Sequence, residues 1–535
     1  MKRVLVANRG EIALRVFRTC RTLGIETVAV APPDDVGALH YRSADRGIEV
    51  GSYLDVEEVV RAARDADADG VHPGYGFLAE SPELAEAVES AGLVFLGPTP
   101  KALRLGGDKL AAKEIAVGAG VPVVPHGEPS DIGFPLVVKA AAGGGGRGMR
   151  VVREPGELDE AMAAARREAE AAFGDDRVFC ERYVERPRHV EIQLLGDGAG
   201  TVVSLGEREC SVQRRHQKVL EESPSPAIDD ELRQALSDAA VSFGTAVGYR
   251  SAGTAEFMLD GRDYWFLELN GRIQVEHPVT ELVTGIDLVE QQLRIAAGEP
   301  LVTTCHRAEG HAIEARLYAE DPRTFLPQTG RITRLRLPGG VRVDAGVEEG
   351  DEVGLRYDPL VAKLVAHGPT RDDALTRLAA ALAETEVEGV TTNLPFLRWL
   401  VTHPLVRAGR TTTAFLVENP PLQPHPVPAP APWHGAWRLN AAAPPPGAPP
   451  DVETTSHAHG TVSTQATLAA QMPGTVLRVL VAEGDAVAPH QPLLVLEAMK
   501  METPVTSPHE ATVRRLLVAE GDQVAAGQQL VELEE

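Results

Sequence analysis

Apolar positions follow three different textures along the chain. Residues 1 to about 420 alternate short apolar runs, such as Val4-Leu5-Val6 and Leu136-Val137-Val138, with Ala/Glu/Arg-rich stretches of helical character. This is the pattern of an α/β or α+β enzyme. From 421 to about 464, prolines crowd together (Pro424, Pro426, Pro428, Pro430, Pro432, then Pro444-Pro445-Pro446). Such a segment favours extended polyproline backbone and reads as a semi-rigid linker. Residues 465–535 return to short strands and repeat themselves: Thr475-Val476-Leu477-Arg478-Val479-Leu480-Val481-Ala482-Glu483-Gly484-Asp485 recurs as Thr512-Val513-Arg514-Arg515-Leu516-Leu517-Val518-Ala519-Glu520-Gly521-Asp522, offset by 37 residues. Each half reads as strand, Glu-Gly-Asp turn and strand, with glycine supplying the positive φ of the turn. Neither half can bury a core alone. Two halves about a quasi-twofold predict a flattened all-β barrel, with Lys500 at the hairpin tip between them.

Composition narrows the classes. At 535 residues the chain exceeds one domain and predicts roughly three or four. No apolar run approaches the ~18 residues of a membrane span, and the N-terminus reads as a first strand rather than a signal peptide. Four cysteines (Cys20, Cys180, Cys210, Cys305) have neither metal-ligand spacing nor the density of a disulfide scaffold, so a cytoplasmic protein is expected. A net charge of −25 argues against nucleic acid, whose binding needs basic surface. A local cluster of cations can still hold an anionic nucleotide.

Three local patterns carry candidate chemistry. Lys139-Ala140-Ala141-Ala142-Gly143-Gly144-Gly145-Gly146-Arg147-Gly148 joins two strands, unlike a P-loop, which opens a helix. It reads either as a flexible turn or as a flap whose backbone N–H groups approach phosphate, and Lys139 at its start favours the flap. Next, Arg188-His189-Val190-Glu191-Ile192-Gln193-Leu194 alternates strictly; alone it reads as a strand with one solvated face carrying His189, Glu191 and Gln193. Finally, Glu256 and Glu268 lie on two strands of a hairpin, and a three-residue loop (Gly261, Arg262, Asp263) sets them opposite each other with Asn270 alongside. Facing glutamates repel, so their convergence implies a cation, and oxygen ligands suit Mg²⁺ or Mn²⁺.

The last module is the most specific. Met499 and Met501, two of seven methionines, flank Lys500 on a predicted solvent-facing tip, as a lysine-modifying enzyme would require. Glu497-Ala498-Met499-Lys500-Met501 resembles the biotinylation site of biotin carboxyl carrier domains; lipoyl domains share the fold and symmetry but lack these flanks. The flap, lysines and metal hairpin resemble the ATP-grasp superfamily. Ala7-Asn8-Arg9-Gly10-Glu11-Ile12-Ala13, His72-Pro73-Gly74-Tyr75-Gly76-Phe77-Leu78, Glu209-Cys210-Ser211-Val212-Gln213-Arg214-Arg215-His216-Gln217-Lys218 and Arg272-Ile273-Gln274-Val275-Glu276-His277-Pro278 resemble biotin carboxylase from about residue 2 to about 415.

The resemblance implies a multidomain α/β and α+β chain: a biotin carboxylase N-terminal domain (1–105), an ATP-grasp domain (106–310) with a lid at about 127–189, a C-terminal domain (311–420), the Pro-rich linker (421–464) and a biotinyl domain (465–535). In the family, ATP phosphorylates bicarbonate to carboxyphosphate, which yields CO₂ to biotin. Carried over by motif, Lys109, Lys139, Gly145, Gly146, Glu181, Arg182, Tyr183, Val184, His189, Gln213 and His216 would hold ATP, and Glu256, Glu268 and Asn270 the metal. Lys218, Arg272, Gln274 and the backbone of Val275 would surround bicarbonate, with Glu276 as base. Arg316 would stabilise charge on the biotin ureido oxygen. Cys210 is expected to be structural.

The resemblance also implies biotin on Lys500, attached by a biotin protein ligase, and delivery of carboxybiotin to a separate carboxyltransferase (β) subunit, since no carboxyltransferase region is recognisable. It implies an acyl-CoA (acetyl- or propionyl-CoA) carboxylase α-subunit, self-associating and hetero-oligomeric; a subunit serving a 2-oxo acid carboxylase is the alternative. The chain departs from its relatives in a shorter segment before Phe134, in Ala141-Ala142, and in Gly271, which is expected to loosen a strand end. Only Trp433-His434-Gly435-Ala436-Trp437 hints at the docking domain usual before the carrier.

Overall fold

The computed structural model describes residues 1–141, 149–214, 217–301, 308–423, 466–470, 474–498, 501–524 and 527–534. The N-terminal region is a five-stranded parallel sheet with Arg3–Val6 at its centre, flanked by Glu26–Ala31 and Gly70–His72 and closed by Arg46–Glu49 and Val94–Phe95. The three inner strands are almost wholly buried, whereas the edge strand Arg46–Glu49 is largely exposed. The helix Val56–Asp65 starts where Asp55 accepts a hydrogen bond from the Glu58 N–H at 3.0 Å.

Two of the quoted motifs meet at the carboxyl ends of these strands. Asn8 is buried, and its Nδ2 donates to the carbonyls of Pro73 (2.8 Å) and Tyr75 (2.7 Å). A β-carbon on Gly74, whose φ is +64°, would lie 2.8 Å from that Nδ2. Glycine is therefore required there on two counts. Arg9 forks onto Asp35 through Nε (2.6 Å) and Nη2 (2.9 Å).

A small antiparallel sheet follows, built from His126–Gly127, Leu136–Ala140, Arg150–Val152 and Val178–Arg182, with the helix Leu158–Phe173 packed on it and ended by Gly174 in the left-handed conformation. The short segment before Phe134 is spanned by a single helical turn, Pro129–Ile132.

The main sheet has eight strands: β1 (Arg188–Asp197), β2 (Val202–Arg214), β3 (Gln217–Ser223), β4 (Arg250–Asp260), β5 (Asp263–Asn270), β6 (His311–Tyr318), β7 (Arg342–Ala345) and β8 (Leu360–Gly368), in the order β5-β4-β1-β2-β3-β6-β8-β7. It runs without interruption from the central region into the C-terminal one, so the boundary near residue 311 is crossed by the β3–β6 pairing. Helices Arg371–Glu384 and Leu394–Thr402 close the core at its far end.

The C-terminal module is two four-stranded sheets. One orders Ala466–Ala469, Gln529–Glu534, Ala511–Leu516 and Ala486–Val487; the other orders Met501–Thr506, Pro492–Ala498, Gly474–Val479 and Gln523–Val524. The short strand of each half joins the sheet of the other half. The twofold is visible in paired hydrogen bonds: Gly484 N–H to Val513 O (2.7 Å) matches Gly521 N–H to Val476 O (2.8 Å). Likewise Glu520 Oε1 accepts from Val479 N–H at 2.9 Å, and Glu483 Oε1 from Leu516 N–H at 3.0 Å. Among the described residues no helix is long and apolar enough to cross a membrane.

Candidate active site

The site is built on β1 to β6 and on the segment after β5. The face of β1 that carries His189, Glu191 and Gln193 is not solvated: Glu191 and Gln193 are fully buried. The charge is tolerated because Arg208 on β2, also fully buried, lies across it. Its Nε pairs with Glu191, its Nη1 donates to Gln193 Oε1 (2.7 Å) and Thr280 Oγ1 (2.9 Å), and its Nη2 to Thr254 Oγ1 (3.1 Å). A planar fork with several donors fits such a setting better than a lysine would.

Lys218 is the hub. Its Nζ lies 2.5 Å from Glu191, 2.9 Å from Glu256 and 2.7 Å from Glu276. Burial opposes the ammonium, but three carboxylates outweigh it and hold its pKa well above the usual lysine value. An extra residue at Val219 makes this possible. The register shifts from Val212↔Leu220 to Gln213↔Lys218, and this bulge turns Lys218 onto the face of Glu221.

Glu276 immediately precedes the helix His277–Thr284, makes no side-chain capping bond to it, and is fully buried. Burial pushes its pKa up, yet Lys218 and Arg316, the latter 3.0 Å from Oε2, hold it well below the usual carboxylate range. Cys210 lies 3.9 Å from Glu276 Oε1; burial and the surrounding carboxylates push its pKa well up, so the thiol stays protonated and serves as packing.

The β4–β5 hairpin brings Glu256 opposite Glu268, with Asn270 opposite Thr254. The loop is not the expected three residues: Asp260 pairs with Asp263 across a two-residue turn, and a bulge between Phe257 and Glu256, accommodating Leu267, restores the alignment. Asn270 Nδ2 donates to Glu256 Oε1 at 2.9 Å. Burial beside Glu256 raises the pKa of Glu268, whose nearest cation is Lys109 at 3.9 Å. Burial would also raise Glu256, but Lys218 and His189, the latter at 2.9 Å, hold it well below its usual range. Facing oxygens, with Lys218 2.9 Å from Glu256 and Lys109 more weakly placed at Glu268, form a donor set that fits a hard divalent cation. A second group of donors, His189, Glu191 and Glu256, lies within 4.8 Å, but Lys218 already compensates Glu191.

Arg272 is held by its neighbours: Nη1 donates to Gln274 Oε1 (2.8 Å), Nη2 to Asn270 Oδ1 (3.0 Å), and Nε lies 3.4 Å from Glu80. Gln274 Nε2 reaches Glu256 Oε1 at 3.2 Å, and the Val275 carbonyl accepts from Lys363 at 2.8 Å. Gly271 packs on Leu103, whose Cδ2 a β-carbon would meet at 2.9 Å. Gln213 Nε2 lies 2.9 Å from His189 Nδ1.

The expected nucleotide residues divide into two groups. Lys109 and His189 join the carboxylate cluster. Lys139 instead pairs with Glu181 at 2.6 Å in the small sheet, and the backbone N–H groups of Arg182 and Tyr183 are already donated to Pro125 O (2.9 Å) and Pro135 O (3.1 Å). That leaves side chains, carbonyls and Val184 for a ligand. Gly145, Gly146, His216 and Lys500 lie outside the described residues. The strands flanking Lys500 pair in register through Ala498↔Met501.

Sequence reading missed Glu191, Arg208, Glu221, Glu314 and Lys113. Lys113 is buried and pairs with Glu181 at 2.5 Å, so two lysines share that carboxylate. Only Glu191 left a signal, its place on the alternating face with His189.

Four family models match: biotin carboxylase, N-terminal domain, over residues 1–103; carbamoyl-phosphate synthase L chain, ATP binding domain, over 126–304; biotin carboxylase C-terminal domain over 314–418; and biotin-requiring enzyme over 466–533. The chain is 47% identical over 463 residues to the propionyl-CoA carboxylase alpha chain of Ruegeria pomeroyi, covering 78% of this chain and 68% of that one. It is 46% identical over 441 residues to the biotin carboxylase of Halalkalibacterium halodurans, covering 78% and 98%. Relatives at similar identity belong to methylcrotonoyl-CoA carboxylase (the alpha polypeptide of Oryza sativa, 47%) and to pyruvate carboxylase (a subunit from Methanothermobacter thermautotrophicus, 45%). Among solved structures, the biotin carboxylase domain dimer of Hydrogenobacter thermophilus 2-oxoglutarate carboxylase, in complex with MgADP, ADP and bicarbonate, superposes with a TM-score of 0.77 at 43% identity, covering 78% of this chain and 98% of that one. The chain belongs to the biotin carboxylase family and joins that enzyme to a biotin carrier domain.

Proposed function

We propose that the chain uses ATP and bicarbonate to carboxylate biotin held on its own Lys500, and that a separate carboxyltransferase passes the carboxyl group to an acyl-CoA: acetyl-CoA to malonyl-CoA, propionyl-CoA to methylmalonyl-CoA, or both. The observation that carries the reading is the convergence of Lys218, Arg316 and Glu276 beside Arg272 and Gln274. A divalent cation on Glu256, Glu268 and Asn270 would offset nucleotide phosphate charge, and biotin would carry the carboxyl group.

Bicarbonate sits between Arg272, Gln274, Lys218 and the Val275 backbone. With Lys218 drawn onto the anion, Glu276 loses part of the compensation that keeps it weakly basic, and takes the bicarbonate proton at its freed oxygen. Arg316 stays within reach of both Glu276 and the ureido oxygen, so one guanidinium stabilises charge first on the base and then on the acceptor. Lys109, Lys139, the flap at Gly145 and Gly146, Glu181 to Val184, His189, Gln213 and His216 hold the nucleotide. The reading includes a cytoplasmic enzyme, self-associated, biotinylated by a biotin protein ligase and partnered by a β subunit.

The acyl-CoA acceptor rests on the propionyl-CoA and methylcrotonoyl-CoA carboxylase relatives, each 47% identical to the chain. The test is to co-purify the biotinylated chain with its partner and screen acceptors. Turnover of acetyl- or propionyl-CoA is expected; turnover confined to pyruvate or 2-oxoglutarate would contradict it.

A further inference from the structure

Glu221 on β3 and Glu314 on β6 are direct partners in the antiparallel register. Directly opposed side chains on one face lie about 5 Å apart at their β-carbons, close enough for like charges to oppose each other strongly away from water. Both residues are fully buried, and neither carboxylate accepts a well-aligned hydrogen bond among the described residues. The cations around them are unevenly shared. Arg316 Nη2 lies 2.6 Å from Glu221 Oε1 and 3.0 Å from Glu276 Oε2, so it bridges Glu221 to the base. Lys363 faces Arg316 from β8, but its ammonium is spent on the Val275 carbonyl (2.8 Å) and on Glu11 (3.1 Å). Lys218 is held by Glu191, Glu256 and Glu276. Glu314 therefore has no ion-pair partner of its own among the described residues.

We propose that Glu221 and Glu314 share one proton, and that this buried pair is the positioning device for Arg316. Two ionised carboxylates so placed, with one shared arginine, are untenable away from water. With one proton bound, Glu314 donates to Glu221, and Glu221 keeps its charge to hold Arg316 against Glu276. Losing the proton adds a third buried anion beside Glu221 and Glu276, which draws Arg316 off Glu276 and away from where the biotin ureido oxygen is to be stabilised. Burial, opposed by Arg316, raises Glu221 to about 7, and burial likewise raises Glu314 well above its usual value, so the loss falls on the alkaline side of neutrality. The positioning role rests on the reading of Arg316 given above; the shared proton does not.

Glu314→Gln and Glu221→Gln, made in the full biotinylated chain, separate the two parts. At neutral pH the infrared spectrum of the wild type is expected to contain a protonated-carboxyl carbonyl stretch that disappears from Glu314→Gln. A wild-type minus Glu314→Gln difference spectrum without that band overturns the shared proton, whatever the activity. In kinetics, Glu314→Gln mimics the protonated partner and cannot ionise. It should keep biotin-dependent kcat near pH 7 within about twofold, while the alkaline limb of its pH profile moves up by roughly one pH unit or vanishes. Glu221→Gln removes the anchor and should lower biotin-dependent kcat by about tenfold or more, with KM for ATP nearly unchanged. An alkaline limb that superposes on the wild type in Glu314→Gln, with the infrared band lost, overturns the positioning role and leaves the shared proton. Absence of biotin carboxylation in the wild type itself would refute the functional reading, and the infrared comparison would still decide the pair.

Discussion

The catalytic sheet and the carrier module solve the problem of a stable β-structure in opposite ways. The carrier interior is aliphatic: Val476, Leu493, Leu494, Val513, Leu530 and Val531 fill it, and its charges sit on exposed turns such as Glu483-Gly484-Asp485. The catalytic sheet buries Glu191, Arg208, Glu221, Glu276 and Glu314 completely and neutralises most of them against one another. An aliphatic core stabilises by removing apolar area from water, about 25 cal/mol per Å². A buried charge network gains little net stability and costs several kcal/mol when one partner is removed. The difference follows the tasks. A carrier has only to present one side chain, whereas the sheet must hold opposite charges ready for an anionic substrate.

The strongest way to break the contrast is at Glu276. Glu276→Gln should lower ATP-dependent carboxylation of free biotin by roughly 10²-fold or more while leaving Lys500 biotinylated and the fold intact. Steady-state turnover checks this, with a streptavidin blot for biotin; turnover within a few-fold of wild type would remove Glu276 from the chemistry.

Next, Arg208→Met strips four polar partners of their cation in a fully buried position and should destabilise the carboxylase by about 3–5 kcal/mol in urea unfolding. Leu493→Ala in the carrier should cost about 2–5 kcal/mol by opening a cavity, and should leave free-biotin carboxylation unchanged. Coupled losses in both regions from either substitution would refute their independence.

Within the catalytic region, pH should act from two sides with opposite sign. Glu276 and Asp344 are buried, which alone would raise them, but Lys218 with Arg316, and Lys363 with Arg342, hold both below their unfolded values. Their stabilising contribution is therefore full above an unfolded pKa of about 4 and is lost as pH falls further. Glu11 and Glu320 run the other way: burial raises each to about 7 against Lys363 and Arg214, so their contribution is full below about pH 4 and is lost as pH rises through about 7. Thermal unfolding of the carboxylase region across this range should pass through a maximum between the two windows.

The smallest expected effect tests the carrier symmetry. Gly484 (φ +95°) and Gly521 (φ +90°) occupy equivalent turns, so Gly484→Ala and Gly521→Ala should each cost about 1–2 kcal/mol, equal within error. Unequal losses would show that the twofold is not energetic.

The same contrast explains what could be read from the chain. The carrier was legible because its repeat, its turn glycines and its apolar alternation all point to one fold, and the structure reproduces the halves strand for strand. The first strand at the N-terminus was legible from its apolar run Val4-Leu5-Val6. The catalytic face was legible only in part. Its alternation placed His189, Glu191 and Gln193 together but suggested water around them, because what covers them is Arg208, supplied by the neighbouring strand and invisible to periodicity within β1. Two bulges, at Val219 and Leu267, decide which face Lys218 and Glu268 occupy, and bulges leave no mark on periodicity. Glu314 and Glu221 meet only through a pairing between strands almost a hundred residues apart, which local pattern cannot anticipate.

On the reading proposed above, one chain both activates bicarbonate and carries the biotin that receives it. The direct measurement is to incubate the purified biotinylated chain with MgATP and radiolabelled bicarbonate and follow acid-labile label on the protein. ATP-dependent label is expected on the wild type and not on Lys500→Arg, while Lys500→Arg still carboxylates free biotin. Equal labelling of wild type and Lys500→Arg, or ATP-independent labelling, would contradict it.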